Sequence, residues 1–142
     1  MYVDKVKKLA KFLLTVPRDN FSMETFYENI SGDSECFIKK MQKECNSVAC
    51  AAGWATRVFP ELSFNENGYV LNNKTERENF EAMEDCLQIT EKFSQFLFDP
   101  SSYPRKEVKN PVYVSKRLTR LAEGRLTRKE KDTLENGGEW VF

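Results

Sequence analysis

Apolar residues recur at steps of three and four along most of this chain, and a proline or glycine interrupts each run. The first such run ends before Pro17. Its apolar positions are Val3, Val6, Leu9, Ala10, Leu13 and Leu14. A helix with one buried face produces this spacing, and proline ends a helix because its ring clashes with the preceding turn. We therefore expect short helices that pack around a shared core.

Capping residues indicate where several further helices begin. Thr75–Glu78 and Thr127–Glu130 both have the Thr-x-x-Glu pattern of a capping box, which predicts a helix start at each place. Thr90 is a suitable N-cap, and Pro111 suits a first helical turn because its fixed φ is already helical. Gly124 predicts the end of the helix that Pro111 opens.

A turn signal and the overall pattern complete the fold prediction. Asn67-Gly68 lies between two short runs of strand-forming residues, and both residues tolerate positive φ. The pair therefore predicts a β-hairpin over about residues 62–71. The sequence predicts a mainly α fold, a single compact domain over residues 1–142 with about six to eight short helices and one small β-hairpin.

The composition indicates a cytoplasmic protein. No stretch has the roughly 18 continuous apolar residues of a membrane-spanning helix, so we expect no membrane partner. The N-terminal sequence MYVDKVKKLAKFLL alternates charged and apolar residues, which is typical of a helix rather than a secretion signal. In the cytoplasm the four cysteines are expected to be reduced.

Positive charge is concentrated in one segment although the net charge is zero. Residues 1–104 carry 12 Lys/Arg against 16 Asp/Glu, whereas residues 105–131 carry ten Lys/Arg against three Asp/Glu. A zero net charge argues against bulk attraction to DNA or RNA. The basic segment indicates either a local anion-binding surface or a solvated face that keeps the protein soluble.

The chain contains no histidine, which is the commonest general base and a frequent zinc ligand. The cysteines form no Cys-x-x-Cys pair, so we expect no metal site and no cofactor. Cys45 precedes a predicted helix start, where the helix dipole favours a thiolate, and a cysteine nucleophile is one interpretation. Cys50 suits a small buried position in the core.

The segment CNSVACAAGWA, residues 45–55, combines a predicted helix start with a glycine and a tryptophan. Asn46 or Ser47 is a good N-cap, and the first N–H groups of the helix are either capped by these side chains or available to cradle a phosphate. The glycine allows another backbone or a ligand to approach closely. Trp54 either completes the core or flanks a planar ligand together with Arg57, three residues later.

This segment and a second motif resemble a pattern found in small bacterial and bacteriophage proteins. The pattern reads Cys-Gly-Thr-x-Ala-Cys-x-x-Gly-Trp-Ala, followed by Phe-Pro, a hairpin, a helix and Leu-Phe-x-Pro-x-x-Tyr. This chain has Cys45–Ala55, Phe59-Pro60 and Leu97–Tyr103 at the corresponding places, with Asn46-Ser47 where the pattern has Gly-Thr. The resemblance covers about residues 5–122.

The resemblance implies a phage-encoded binding protein in the cytoplasm of an infected bacterial host. It is similar to the viral sponge proteins that sequester the cyclic nucleotide signals of bacterial anti-phage immunity without cleaving them, so no catalytic residue is expected. The expected partner is a cyclic oligonucleotide, which needs hydrogen-bond donors for its phosphates and apolar or aromatic walls for its bases. From their chemistry, the residues expected to bind it are Asn46, Ser47, Trp54, Arg57, Tyr103, Arg105, Lys116 and Arg120.

Two other classes of function stay open. The apolar tail over residues 139–142 follows two glycines and suits either a homo-oligomer contact or docking to a host bacterial protein. A hydrolase would use Cys45 or the carboxylate pair Glu81 and Asp85, which lie one helical turn apart. On a strongly acidic helix such a pair is also typical of a solvated face.

Overall fold

A computed structural model describes residues 1–24, 28–29 and 47–136 of the chain. Within these ranges the fold is mainly α with a small β-hairpin, as predicted. The helices are α1 (Val3–Leu13), α2 (Ala51–Ala55), α3 (Asn79–Leu87), α4 (Glu91–Phe98), α5 (Pro111–Ala122) and α6 (Arg128–Asn136). Short 3-10 turns cover Arg18–Asn20, Pro100–Ser102 and Arg105–Glu107. Cys45, Asn46 and the predicted tail over residues 139–142 lie outside the described residues.

Two antiparallel strand pairs accompany the helices. β1 (Glu28–Asn29) pairs with β2 (Ser47–Val48), and β3 (Leu62–Phe64) pairs with β4 (Val70–Asn72). The second pair is the predicted hairpin. The first pair was not predicted, because strands of two residues are too short to show an alternating pattern.

Asn65 organises the turn of the β3–β4 hairpin. Its side-chain oxygen accepts the backbone N–H groups of Asn67 at 2.9 Å and Tyr69 at 3.0 Å. Gly68 has φ +78°, so the glycine of the predicted Asn-Gly turn has the conformation that the turn requires. The turn is longer than the tight two-residue type, since it also includes Asn65 and Glu66.

Helices α1 and α5 pack against each other in opposite directions. The Ser115 hydroxyl donates to the Ala10 carbonyl at 2.6 Å, and Lys7 Nζ lies 3.7 Å from a carboxylate oxygen of Glu123. Lys7 precedes Ala10 along the chain, whereas Glu123 follows Ser115. The two helices are therefore antiparallel, and their facing sides form one wall of the core.

The predicted buried face of α1 is correct for its central positions, which are Val6, Leu9, Ala10 and Leu13. It is wrong for Val3 and Leu14, which are 38% and 57% exposed. Each residue turns about 100° around a helix, so Leu14, directly after buried Leu13, is carried off the buried face. This leaves two apolar side chains in contact with solvent.

The caps are correct where the contacts are local. Thr127 and Glu130 form a reciprocal capping box: the Glu130 N–H donates to Thr127 Oγ1 at 3.2 Å, and the Thr127 N–H donates to Glu130 Oε1 at 3.0 Å. Thr90 accepts the N–H of Phe93 at 3.2 Å, and Pro111 opens α5.

The other predicted capping box, at Thr75–Glu78, is wrong. Helix α3 begins at Asn79, after Glu78 in extended conformation. The Thr75 hydroxyl donates to Asp85 at 2.7 Å, a tertiary contact that replaces the predicted cap.

None of the described helices is both long and apolar enough to cross a lipid bilayer.

Asn110 is the N-cap of α5, where its side-chain oxygen accepts the N–H groups of Val112 at 3.1 Å and Tyr113 at 3.3 Å. We expect Asn110→Ala to lower the free energy of unfolding by about 1 kcal/mol, because the cap is lost. Urea denaturation followed by circular dichroism measures this change. Asn110→Ser retains an acceptor and should keep most of the stability. Equal stability of the wild type and the Ala variant would show that this cap does not stabilise α5.

Candidate functional site

The helix start predicted at Asn46 or Ser47 is wrong, because Ser47 lies in strand β2. Helix α2 begins only at Ala51, with Cys50 as its N-cap. Backbone pairing explains the difference: the Ala49 N–H donates to the Asn20 carbonyl at 3.1 Å, and the Ala49 carbonyl accepts the Ser22 N–H at 3.1 Å. These long-range hydrogen bonds hold the segment extended, and no local pattern in the sequence predicts them.

Helix α2 has no open end for a phosphate among the described residues. It contains only five residues, Ala51–Ala55, and all of them are buried. Its N-cap residue makes no side-chain capping bond. The small residues of this segment therefore fill the core tightly, and the phosphate cradle predicted at the helix start is not supported.

Trp54 takes the core position rather than the ligand-flanking one. Its side chain is 4% exposed, and its indole N–H donates to the Asn20 carbonyl at 3.0 Å. The ring centroid lies 6.1 Å from that of Phe12 on α1. The tryptophan thus joins α2, α1 and the turn at Arg18–Asn20, and it presents no open ring face beside Arg57, which is half-buried.

Tyr103 is also a core residue. It is 2% exposed, and its hydroxyl donates to the Leu97 carbonyl at 2.6 Å. Burial raises the pKa of Tyr103 well above its usual value, with Arg117 acting in the opposite direction. Arg105, two residues later, is exposed in a 3-10 turn. Tyr103 and Trp54 contact different parts of the core, so they do not form two walls of one pocket.

The Leu97–Tyr103 motif has a structural explanation. Asp99 caps the 3-10 turn by accepting the Ser101 N–H at 2.9 Å, and the Ser102 hydroxyl lies 2.7 Å from the carbonyl oxygens of both Phe96 and Asp99. The Tyr103 hydroxyl then reaches back to Leu97. The motif thus encodes a tight connection after α4, and this connection directs the carbonyl groups of Phe96 and Ser102 toward α5.

Those carbonyl groups bind Arg117, which is fully buried. Its Nη1 donates to the carbonyl oxygens of Phe96 at 3.0 Å and Ser102 at 2.8 Å. The guanidinium carbon lies 3.8 Å from the ring centroid of Tyr103 and 4.4 Å from that of Phe96, which are favourable cation–π distances. Arg117 is therefore held by contacts on several sides.

Arg120, predicted to bind the ligand, is paired within the protein. It donates to both carboxylate oxygens of Glu130, at 2.7 and 2.8 Å, and the Arg117 Nε lies 3.5 Å from the same carboxylate. Glu130 is 2% exposed. The sequence marked Glu130 only as part of a capping box, so its second role was missed. Lys116, the other basic residue predicted on this helix, is exposed.

A group of exposed lysines lies where α1 and α5 run side by side. Ala10 on α1 contacts Ser115 on α5. Leu14 lies one turn after Ala10, and Val112 lies about one turn before Ser115, so the antiparallel packing places these two residues at the same level. Both are well exposed, at 57% and 42%. We define the lysine face as Lys7, Lys11, Leu14, Val112 and Lys116. Lys7 is near Glu123, whereas Lys11 and Lys116 form no ion pair with any described carboxylate. The predicted site residues contribute only Lys116 to this face.

The described cysteines are poor nucleophiles. Burial raises the pKa of both the Cys50 and the Cys86 thiol to about 11, and both side chains are 2% exposed. A thiol with such a pKa is protonated near neutral pH. Cys45, the candidate nucleophile, lies outside the described residues.

The carboxylate pair Glu81 and Asp85 is committed to an ion-pair network. Arg77 donates to both carboxylates at 3.0 Å, and Thr75 donates to Asp85. These contacts bind both carboxylates and give the pair a structural role. No cluster of three or more potential metal ligands occurs in the part of the chain that is described.

Comparisons of the chain with protein-family models, with curated proteins and with solved structures find no significant match.

The Glu130 contacts predict a pH dependence of stability. Burial alone would raise the pKa of Glu130, but hydrogen bonds from Arg120 and the Thr127 N–H, with the charges of both arginines, hold it below the usual 4.5. Its stabilising contribution is therefore present above pH 4.5 and is lost as the pH falls through the lowered pKa. Urea denaturation across pH 3 to 6 should show a steeper acid loss for the wild type than for Glu130→Gln.

The matched control is Glu135→Gln, which removes an exposed carboxylate from the same helix. Its free energy of unfolding should depend on pH in the same way as that of the wild type. If the free energies of unfolding of Glu130→Gln and the wild type fall equally as the pH is lowered, the Glu130 carboxylate does not contribute to stability through its charge.

Proposed function

We propose that this protein acts by binding and that its ligand is a cyclic oligonucleotide, which it retains intact in the cytoplasm of an infected bacterium. The observation that carries the proposal is the lysine face. Its exposed ammonium groups lie on two helices that pack together, and Lys11 and Lys116 have no carboxylate partner among the described residues. A ligand with two or more phosphates would satisfy both of them.

The lysine face has the two kinds of group that a nucleotide needs. Lys7, Lys11 and Lys116 supply ammonium groups for phosphates, as lysine commonly does at phosphate sites. Leu14 and Val112 lie about one helical turn beyond Lys11 and Lys116, and they supply an apolar wall against which a base can pack. This arrangement replaces the site that the sequence placed at the start of the helix near Asn46.

The chemistry of the described residues favours binding over catalysis. Cys50 and Cys86 are buried and protonated near neutral pH, and Arg77 occupies the carboxylates of Glu81 and Asp85. The thiols are therefore poorly suited to attack a phosphodiester, and both carboxylates already have a structural partner. A sponge needs only to hold its ligand, and a cationic surface is sufficient for that task.

We expect calorimetry with a panel of cyclic di- and trinucleotides to detect binding of at least one member by the full-length protein. The double variant Lys11→Gln/Lys116→Gln should weaken that binding about tenfold or more, because two charge-assisted contacts are lost. Chromatography of the ligand after release by denaturation should recover it unchanged.

The control is Lys74→Gln, which removes an exposed lysine beside Glu61, away from the lysine face. It should bind like the wild type. Absence of heat with every member of the panel would refute the proposal, and so would recovery of a cleaved ligand. An equal loss of affinity in Lys74→Gln and in the double variant would show that the lysine face is not the binding site.

A second candidate function is a protein-interaction module that acts on a host bacterial protein. It is favoured by the exposure of Leu14 and Val112, two apolar side chains at the same level of neighbouring helices. Apolar anchors beside lysines fit an acidic partner surface that has an apolar patch next to its charges. The same face therefore suits either ligand, and the two candidates differ in which of its residues carry the affinity.

We expect a protein-interaction function to depend on the apolar pair Leu14 and Val112. A pull-down from bacterial lysate would then recover one stoichiometric partner with the wild type and lose it with Leu14→Ser/Val112→Ser, because the anchors are gone. Tyr69→Ser, which removes an exposed aromatic ring from the hairpin, is the control. Capture that survives in the double variant would exclude the lysine face as the docking surface.

A further inference from the structure

Helix α6 is held to the rest of the protein mainly by two side chains, the buried carboxylate of Glu130 and Leu134, which packs against the core. Of its nine residues only Glu130 is buried, and Thr133 and Leu134 are half-buried. The remaining residues are exposed and mostly charged. A helix with so little buried apolar surface gains little from packing, so the carboxylate of Glu130 contributes much of the interaction that holds α6 in place.

The contacts of Glu130 are those that a phosphate group would make. Arg120 donates two parallel hydrogen bonds to the carboxylate, at 2.7 and 2.8 Å, and Arg117 Nε lies 3.5 Å from it. Guanidinium groups bind carboxylates and phosphates with this same two-pronged geometry. Glu130 thus occupies a position that is chemically suited to a phosphate.

Arg117 does not depend on α6 for its position. Its Nη1 is bound by the carbonyl oxygens of Phe96 and Ser102, and its guanidinium lies against the rings of Phe96 and Tyr103. All of these groups precede α5 in the chain. The Nε edge that faces Glu130 would therefore stay in place after α6 moved away, already oriented for another anion.

We propose that Arg117 and Arg120 form an anion site that Glu130 occupies as an internal competitor, and that α6 opens to admit a phosphate group. The inference rests on the proposed function, since it assigns a place to a second phosphate of the ligand. Lys116 precedes Arg120 by one helical turn on α5. A cyclic oligonucleotide can therefore contact Lys116 through one phosphate and the arginines through another.

Hydrogen exchange of the unliganded protein tests the opening of α6. In Glu130→Gln, the amides of α6 should exchange about tenfold faster or more than in the wild type, while those of α1 and α5 keep their rates. Glu135→Gln should match the wild type in all three helices. If the amide exchange rates of all helices rise equally, or if the amides of α6 exchange only by global unfolding, α6 does not open separately and the proposal is wrong.

Calorimetry with inorganic pyrophosphate tests the anion site. Glu130→Gln should bind pyrophosphate about tenfold more tightly than Glu135→Gln, because both variants lose one negative charge but only the first frees the arginines. The double variant Glu130→Gln/Arg120→Gln should lose this gain in pyrophosphate affinity. Equal pyrophosphate affinities in the two single variants would overturn the proposal.

The two hypotheses fail in different ways. If cyclic nucleotides bind the wild type through Lys11 and Lys116 and Glu130→Gln changes neither pyrophosphate affinity nor exchange, the proposed function stands and the internal competitor is refuted. If Glu130→Gln gains pyrophosphate binding and no cyclic nucleotide binds any variant, the anion site stands and the nucleotide function is refuted.

Discussion

The buried guanidinium of Arg117 is the interaction on which the C-terminal part of the structure depends. A charged group inside a protein is costly unless hydrogen bonds and an opposite charge compensate it. The carbonyls of Phe96 and Ser102, two aromatic rings and Glu130 provide that compensation. These groups come from α4, the following 3-10 turn, the loop before α5, and α6. One side chain therefore contacts several elements at once and sets their arrangement, a role that buried ion pairs have in some other proteins.

The fold could be predicted where local interactions decide it. Thr90, Pro111 and the Thr127–Glu130 box each act within a few residues, and the helices that they open are present. Ser47 and Thr75 are equally good caps by type, but neither begins a helix. In the first case long-range backbone bonds around Ala49 hold the chain extended, and in the second Thr75 bonds to Asp85 instead. Capping patterns carry no information about such distant partners.

The candidate site was less predictable, since residue type tells which groups can bind a phosphate but not which already have partners. Tyr103, Trp54 and Arg120 have suitable chemistry, and all three are bonded inside the protein. Lys116 is exposed. Its association with Lys11 follows from the antiparallel contact of α1 with α5, and a single sequence holds no sign of that contact.

The hydrogen bond between Ser115 and Ala10 joins residues 105 positions apart. Helix α1 therefore leaves the ribosome about a hundred residues before its partner helix exists, at roughly 5–20 residues per second. For that interval its apolar stripe lacks the surface that finally covers it. Closing so long a loop also costs entropy, which slows folding even in a largely helical chain. During synthesis the apolar stripe of α1 is thus open to chaperones and to aggregation.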